Sequence, residues 1–373
     1  MQIVVLKENL EGEKRTALVS ETIKKLVAVG NEVFVENGAG ISANISDEDY
    51  KAAGAKISDR ADLLQKAEIL TAINRPNGDV LKKLKKDAIV IALLRPLDEP
   101  EKLQTFVDNQ LTAFSLEMIP RTTRAQAMDV LSSMATIAGY KAVLWAAERL
   151  PKMFPMMTTA AGTIPPAKVL IIGAGVAGLQ AIATARRLGA VVEGFDIRAA
   201  AGEAVRSLGA KFLEMDVNAE GEDGYAKEIG EVEMNKAREL LAKSAVTTDC
   251  INTTAQVPGR PAPLLITKQA VESMKSGSVI VDLAGSNGGN CELSKADEIV
   301  EHNGVTIYAP TNLASTIPIH ASQLFSRNLF AFLNLLIKDG ALNLNFEDDI
   351  VKGSCVVHNG EITNERVKGK AFV

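Results

Sequence analysis

The stretch that most constrains the fold is residues 168–198, KVLIIGAGVAGLQAIATARRLGAVVEGFDIR. Residues 169–172 form a short apolar run with β-branched members, and Gly173, Gly175 and Gly178 follow in GxGxxG spacing. Residues 176–188 then carry apolar side chains at helical spacing until Gly189, and 190–195 read as a second strand ended by Asp196. A strand, a tight turn, a helix and a strand within about thirty residues make a βαβ start with an acid at the second strand's tip.

Each glycine has a physical task in such a turn. Gly173 permits the bend, Gly175 lets backbone approach a pyrophosphate, and Gly178 allows the helix to pack closely on the strand. The unpaired N–H groups and positive end of the new helix then face the phosphates. Asp196 is placed to accept hydrogen bonds from ribose hydroxyls and to repel a 2′-phosphate, which favours NAD(H) over NADP(H). Arg198 pulls the other way, since a cation just after the acid can help hold a 2′-phosphate; it ranks second to Asp196. The bland alternative is a unit of this fold whose pocket has decayed.

The rest of the chain sets bounds on that reading. Its 373 residues suffice for two or three domains, and 47% hydrophobic with only 4% aromatic residues fits an aliphatic α/β protein. A net charge of -5 and no basic patch argue against nucleic acid as partner. Cys250, Cys291 and Cys355 are far apart, odd in number and without metal-ligand spacing, which points to a reducing, cytoplasmic compartment. The N-terminal apolar run is too short for a secretory segment, and no uninterrupted apolar tract spans a bilayer, so the chain is expected to be soluble.

Taken in order, residues 2–6, a helix over 21–29 capped by Ser20, and 32–36 form another βαβ start without phosphate glycines. Strands over 69–73, 88–94 and 112–116 complete a first α/β region. One long helix is expected over 125–150, interrupted only by Gly139, and its start is crowded with Arg121, Arg124, Gln126, Asp129, Ser132 and Ser133. Spacings of three and four place those groups on one helical face, which by composition alone reads as a solvated, capped helix start. Residues 155–166 read as a loop. Residues 216–233 carry seven acids, three glycines and one aromatic, Tyr225, a composition that reads as a mobile flap or a plain surface insertion. Thr254, Ala255 and Gln256 follow a strand over 249–252 at its carboxyl end, where ligands of doubly wound sheets lie. About six strands complete the second sheet, and a second long helix is expected over 322–336. The division that results is a discontinuous domain, 1–125 with 321–373, around a nucleotide domain, 126–320.

Carbonyl or imine reduction by hydride needs a proton donor and a cation for the substrate's carboxylate. Arg15, Arg75 and Arg95 sit at loop or strand ends and leave a carboxylate-binding cleft open. A matched donor is missing, because His302, His320 and His358 all come late and read as structural. No Ser/His/Asp set and no metal cluster appears. Direct hydride passage between two nicotinamides needs positioning and water exclusion but no general acid.

Nearly the whole sequence resembles the NAD(H)-binding component, domain I, of proton-translocating NAD(P) transhydrogenases. The resemblance is specific at PRTTRAQAMDVLSS, AGYKAV, FPMMTTAAGTIPPAKVLIIGAGVAGLQAIATARRLGA, DIRAAAGEAVRSLGAKF, GGN with Cys291 after it, and LFSRNL. It implies two Rossmann-like doubly wound parallel-sheet domains linked by long helices. It further implies that Arg121, Gln126 and Asp129 form a loop beside the nicotinamide, with Arg124 and Ser132 nearby. Gln126 would approach the partner's nicotinamide, while Arg121 and Asp129 hold the NAD(H) end. Val176, Asp196, Ile197, Arg198, Gly224, Tyr225 and Thr254 match the remaining nucleotide contacts, and 216–233 matches the family's mobile loop. A homodimer on the cytoplasmic face is implied, with NADP(H) on a second soluble subunit and proton movement through a membrane subunit on a separate chain. The fold is also similar to alanine dehydrogenase, whose substrate-site arginine Arg15 matches, but whose substrate lysine and catalytic histidine fall on Asn74 and Arg95. An amino-acid dehydrogenase and a non-catalytic NAD-binding module are therefore the competing expectations.

Overall fold

A computed structural model describes residues 1–215, 230–257, 259–338 and 340–371. Two compact units emerge, Met1–Met134 with Ala314–Val373, and Ala135–Leu313. The division falls at 134/135 and 313/314 and not at 125/126 and 320/321, so Gln126, Asp129 and Ser132 belong with the first unit.

In the first unit β1 (Gln2–Val5), β2 (Glu32–Glu36), β3 (Lys56–Ser58), β4 (Ile69–Asn74), β5 (Ile89–Leu93) and β6 (Thr112–Ser115) are parallel, in the order β6-β5-β4-β1-β2-β3. Cys355–His358 and Glu361–Ile362 extend the β6 edge antiparallel. Strands covered on both faces need apolar residues at every position, which explains unbroken runs such as Ile3-Val4-Val5. Ile3, Val5, Val33 and Val35 pack with Phe325, Leu329 and Phe332 of the Pro318–Leu336 helix. Val4, Phe34 and Leu70 pack on the other face with Leu63, Leu64 and Phe106. The first helix spans Ser20–Ala28 with Val19 at its cap position, so Ser20 does not cap it; the Ser20 hydroxyl is buried without a hydrogen-bond partner.

The second unit opens with a two-stranded hairpin, β7 (Met157–Thr159) and β8 (Gly162–Ile164), in the stretch whose composition reads as a loop. Its main sheet is β9 (Lys168–Ile172), β10 (Val191–Phe195), β11 (Lys211–Phe212), β12 (Cys250–Thr253), β13 (Val279–Asp282), β14 (Ile299–His302) and β15 (Val305–Tyr308), in the order β11-β10-β9-β12-β13-β15-β14. All neighbours are parallel except β14 and β15, which form a hairpin through Asn303 and Gly304, both at positive φ. That Asn-Gly pair is the strongest short-range hairpin signal, and it supplies a seventh strand beyond the six expected.

The long helix is shorter than its sequence suggests. A 3₁₀ turn covers Thr123–Met128, Asp129 interrupts it, and the α-helix is Val130–Arg149. Gly139 does not break this helix. A Cβ there would stand 2.1 Å from the Ala177 carbonyl oxygen, so glycine lets the helix pass against the start of the Val176–Arg187 helix. Among the described residues Val130–Arg149 is the one helix long and apolar enough, by length and composition, to cross a bilayer. Alanine, serine and glycine dilute its sequence, so no uninterrupted apolar tract announces it. Trp145 on this helix stacks on Tyr308 at the end of β15, with ring centroids 4.6 Å apart, and the Arg149 guanidinium lies 5.4 Å from the Trp145 ring centroid.

Candidate functional site

The glycine turn joins β9 to the Val176–Arg187 helix at the point where strand order reverses. Gly173 takes φ +92°, and a Cβ on it would fall 2.6 Å from Thr254 Oγ1. On Gly178 a Cβ would lie 1.7 Å from the Gly173 carbonyl oxygen, which is the close helix-on-strand packing that spacing predicts. Gly175 is different: a Cβ there would meet nothing within 4 Å. Open space in front of bare backbone is what a phosphate group needs. Gly175 is also the cap position of the helix and offers no side-chain cap, so the first-turn N–H groups are left to a ligand. Val176 stands on that turn, 40% exposed.

Asp196 lies at the tip of β10, as expected, but its carboxylate is already engaged. Oδ2 accepts from the Ala174 N–H at 2.7 Å, and Oδ1 accepts from the Arg198 N–H and Nε, each at 2.9 Å. Arg198 Nη2 closes the pair on Oδ2 at 2.8 Å. Hydrogen bonding to Asp196 raises the Arg198 pKa and fixes the positive charge against the acid. The two residues that sequence set in opposition thus form one ion pair, and ribose hydroxyls reach Asp196 only by sharing or displacing Arg198. Ile197 packs toward the apolar cluster of Ile172 and Phe195.

Thr254 Oγ1 donates to the carbonyls of Ile172 and Gly173 at 3.2 and 3.0 Å, which ties the end of β12 to the glycine turn. The Ala255 N–H is held by Asn290, and Gln256 Nε2 donates to the Leu283 carbonyl. Asp282 and Asn290, which anchor this side, escape sequence reasoning; Asn290 has one signal, the GGN string, to which sequence assigns no role. Gly224 and Tyr225 lie outside the described residues, as do residues 216–229, while Glu231–Ala245 is a helix.

The Arg121 to Ser132 group is in the first unit and does not share one helical face, because Gln126 sits in the 3₁₀ turn. Asp129 caps the α-helix after it: its Oδ1 accepts from the Ser132 N–H at 2.8 Å and its Oδ2 from Ser132 Oγ at 2.6 Å. Arg121 and Gln126 are exposed. Arg124 is spent locally, paired with Asp348 at 2.5 Å and also with Asp349. Asn328 of the LFSRNL string donates to the Ala127 carbonyl at 2.8 Å and so steadies the same turn.

At the carboxyl ends of β1 and β4 the first unit keeps a cavity of about 250 Å³, lined among others by Leu6, Lys7, Glu8, Asn74 and Arg75. Glu13 and Arg15 form a buried ion pair at 2.6 Å. Asn74 Nδ2 donates to Glu8 at 3.1 Å and to Glu13 at 2.9 Å, and the Ile73 N–H donates to Glu8 at 2.6 Å. Burial pushes the Glu8 carboxyl up to about 7. Burial acts the same way on Glu13, but the hydrogen bonds and charge of Arg15 outweigh it and hold Glu13 at about 2. Arg75 pairs with Glu99 at 2.5 Å and Arg95 with Asp98 at 3.5 Å. Each cation of the expected carboxylate cleft is therefore met by an acid of its own unit.

His302 faces Glu272 at 3.1 Å, His358 contacts Thr112 and packs on Phe346, and His320 is exposed on the first turn of Pro318–Leu336. All three cysteines are buried and free, and burial raises the thiols of Cys250 to about 12 and of Cys291 and Cys355 to about 11. No cluster fit to hold a metal occurs among the described residues.

Two family models match the sequence, the alanine dehydrogenase/PNT N-terminal domain over residues 4–138 and the C-terminal domain over 142–365. The first part of the divided NAD(P) transhydrogenase subunit alpha of Rhodospirillum rubrum is 45% identical over 99% of this chain and 100% of its own length. The crystal structure of transhydrogenase from Sinorhizobium meliloti superposes with a TM-score of 0.87 at 40% identity, covering 98% of this chain and 99% of that one. An L-alanine dehydrogenase structure superposes with a TM-score of 0.83 at 25% identity, covering 100% and 99%.

Proposed function

The chain belongs to the alanine dehydrogenase/PNT family, and on that premise we propose that it is the NAD(H)-binding component of a proton-translocating NAD(P) transhydrogenase. The observation that carries the reading is the open cradle at Gly175 between a bent Gly173 and a helix without a side-chain cap. When bound, NADH supplies the hydride. The chain's own part is to bind, orient and exclude water: first-turn N–H groups from Val176 onward hold the phosphates, Asp196 and Arg198 the adenosine ribose, and 254–256 the other half. Arg121, Asp129 and Ser132 would steady the nicotinamide end, and Gln126 would face the NADP(H) of a second subunit. No general acid is required for transfer between two nicotinamides.

Proton coupling would run through a membrane subunit, with this chain peripheral to it on the cytoplasmic face. A homodimer is supported by exposed apolar residues on and beside the β7–β8 hairpin, Met156, Met157 and Ile164, and by Tyr140 on Val130–Arg149. An alanine dehydrogenase activity is disfavoured by the Glu13–Arg15 pair and by Asn74 and Arg95 at the positions of that enzyme's lysine and histidine.

The test is cofactor exchange by the purified chain with its candidate NADP(H)-binding partner, NADPH and an acetylpyridine analogue of NAD⁺. Reduction that needs both proteins is the expected result. NADH binding without exchange by a competent partner, or NAD⁺ reduction driven by alanine, overturns it. In the same assay Gln126→Asn should slow exchange while NADH affinity holds; unchanged exchange would remove Gln126 from the transfer step.

A further inference from the structure

Asp282, the last residue of β13, is fully buried, and five donors converge on its carboxylate. Thr253 Oγ1 at 2.7 Å and the Ala284 N–H at 3.0 Å bond Oδ1. The N–H groups of Asn290 at 2.7 Å and Cys291 at 2.9 Å, with Ser294 Oγ at 2.6 Å, bond Oδ2. This anchor draws the turn after β13 inward, and glycine is needed where it is tightest: Gly289 has φ +84°, and a Cβ there would come within 2.8 Å of Asp282 Oδ2.

The product of that turn is the place of Asn290. Its side chain is fully buried and accepts from the Ala255 N–H at 3.1 Å while donating to the Ala255 carbonyl at 2.8 Å and the Pro263 carbonyl at 2.9 Å. One side chain thus satisfies both backbone groups of Ala255, as a neighbouring strand would. On the other flank the Thr254 N–H bonds the Ile172 carbonyl at 2.7 Å. Residues 254–256 are fixed between the glycine turn and Asn290.

A sheet of this order is built from two mononucleotide-binding halves. β9, β10 and β11 carry the glycine turn and Asp196, so they take the adenosine half; β12, β13 and β15 are left for the nicotinamide half. We propose that Asn290, seated on Asp282, is the positioning residue that shapes the 254–256 segment to receive the nicotinamide half of the dinucleotide. The inference rests on the NAD(H)-binding reading above. Asn290 touches no cofactor atom in this account; it acts through Ala255.

The experiment titrates the purified full chain and its variants with NADH and, separately, with AMP, which fills the adenosine half alone. Asn290→Ala should weaken NADH about tenfold or more, since two part-buried carbonyls and an N–H lose their partner, and leave AMP within about twofold. Hydrogen exchange at the Ala255 N–H should quicken while the Thr254 N–H stays protected, a contrast that general loosening of the fold would not give. Asn290→Asp keeps the volume and turns an oxygen toward the two carbonyls; it should show the same contrast, and it is read alone if Asn290→Ala does not fold. Equal loss of NADH and AMP, no loss of either, or failure of both variants to fold overturns the proposal. Wild-type chain that binds neither NADH nor AMP overturns the NAD(H) reading, and this inference with it.

Discussion

Both sheets reverse strand order beside their first strand, between β1 and β4 in one unit and between β9 and β12 in the other, but the segments that leave those first strands differ. After β9 comes a three-glycine turn whose middle member faces open space. After β1 comes a polar loop whose acids fold back: Glu8 and Glu13 share Asn74, and Glu13 neutralises Arg15. One crevice presents bare backbone to open space; the other keeps a cavity of about 250 Å³, but its acids and Arg15 are tied to one another and to Asn74. Topology sets where a ligand can lie, and the groups presented there decide which ligand the place suits.

The largest effect should come from breaking the buried ion pair of the first unit. Glu13→Ala leaves Arg15 buried without its partner and should cost about 3–5 kcal/mol, read as an earlier urea transition by far-UV circular dichroism. A variant as stable as the parent would show that this pair does not hold the first unit together. In the open crevice Gly178→Ala drives a Cβ into the Gly173 carbonyl, and NADH affinity measured by calorimetry should fall by at least about a hundredfold, near 3 kcal/mol. Retained affinity would mean the backbone wall is softer than its geometry.

Smaller effects sharpen the contrast. Glu8 has its carboxyl raised to about 7, so between the unfolded value of 4.5 and 7 the folded state holds a proton that the unfolded chain releases. The stability this contributes is complete below the unfolded value and is lost as pH rises through 7, a loss of about 1–3 kcal/mol. Glu8→Gln should flatten that decline in urea melts near pH 5 and pH 8; an unchanged slope would remove Glu8 as its source. Least of all, Arg198→Ala frees Asp196 from its ion pair and should change NADH affinity less than about tenfold while raising preference for NADH over NADPH. A shift toward NADPH would reverse the roles given to the two residues.

Local signals carry most of the fold. The GxGxxG string, Gly189 and the apolar runs of β9 and β10 each settle structure within a few residues, so both βαβ starts are legible. The pairing in the first crevice is not, because Arg15 looks free until Glu13 turns back on it and Asn74 arrives from β4. Asp129 at spacing three from Ser132 fits a helical face and an N-cap equally well, and only the backbone at Asp129 chooses the cap. Asn290 is invisible for a related reason: its partners Ala255 and Pro263 lie far upstream, and a string such as GGN does not say what it touches. The β14–β15 hairpin, by contrast, is written plainly in Asn303-Gly304, and a count of six strands overlooks it.

The Trp145–Tyr308 stack has an optical consequence. The sequence contains a single tryptophan, and it belongs to the unit that carries the glycine turn. Intrinsic emission excited at the red edge therefore comes from that unit alone, and the other is dark. Melting the chain while following both emission and circular dichroism separates the two units without cutting them apart, a built-in label for one half of the molecule.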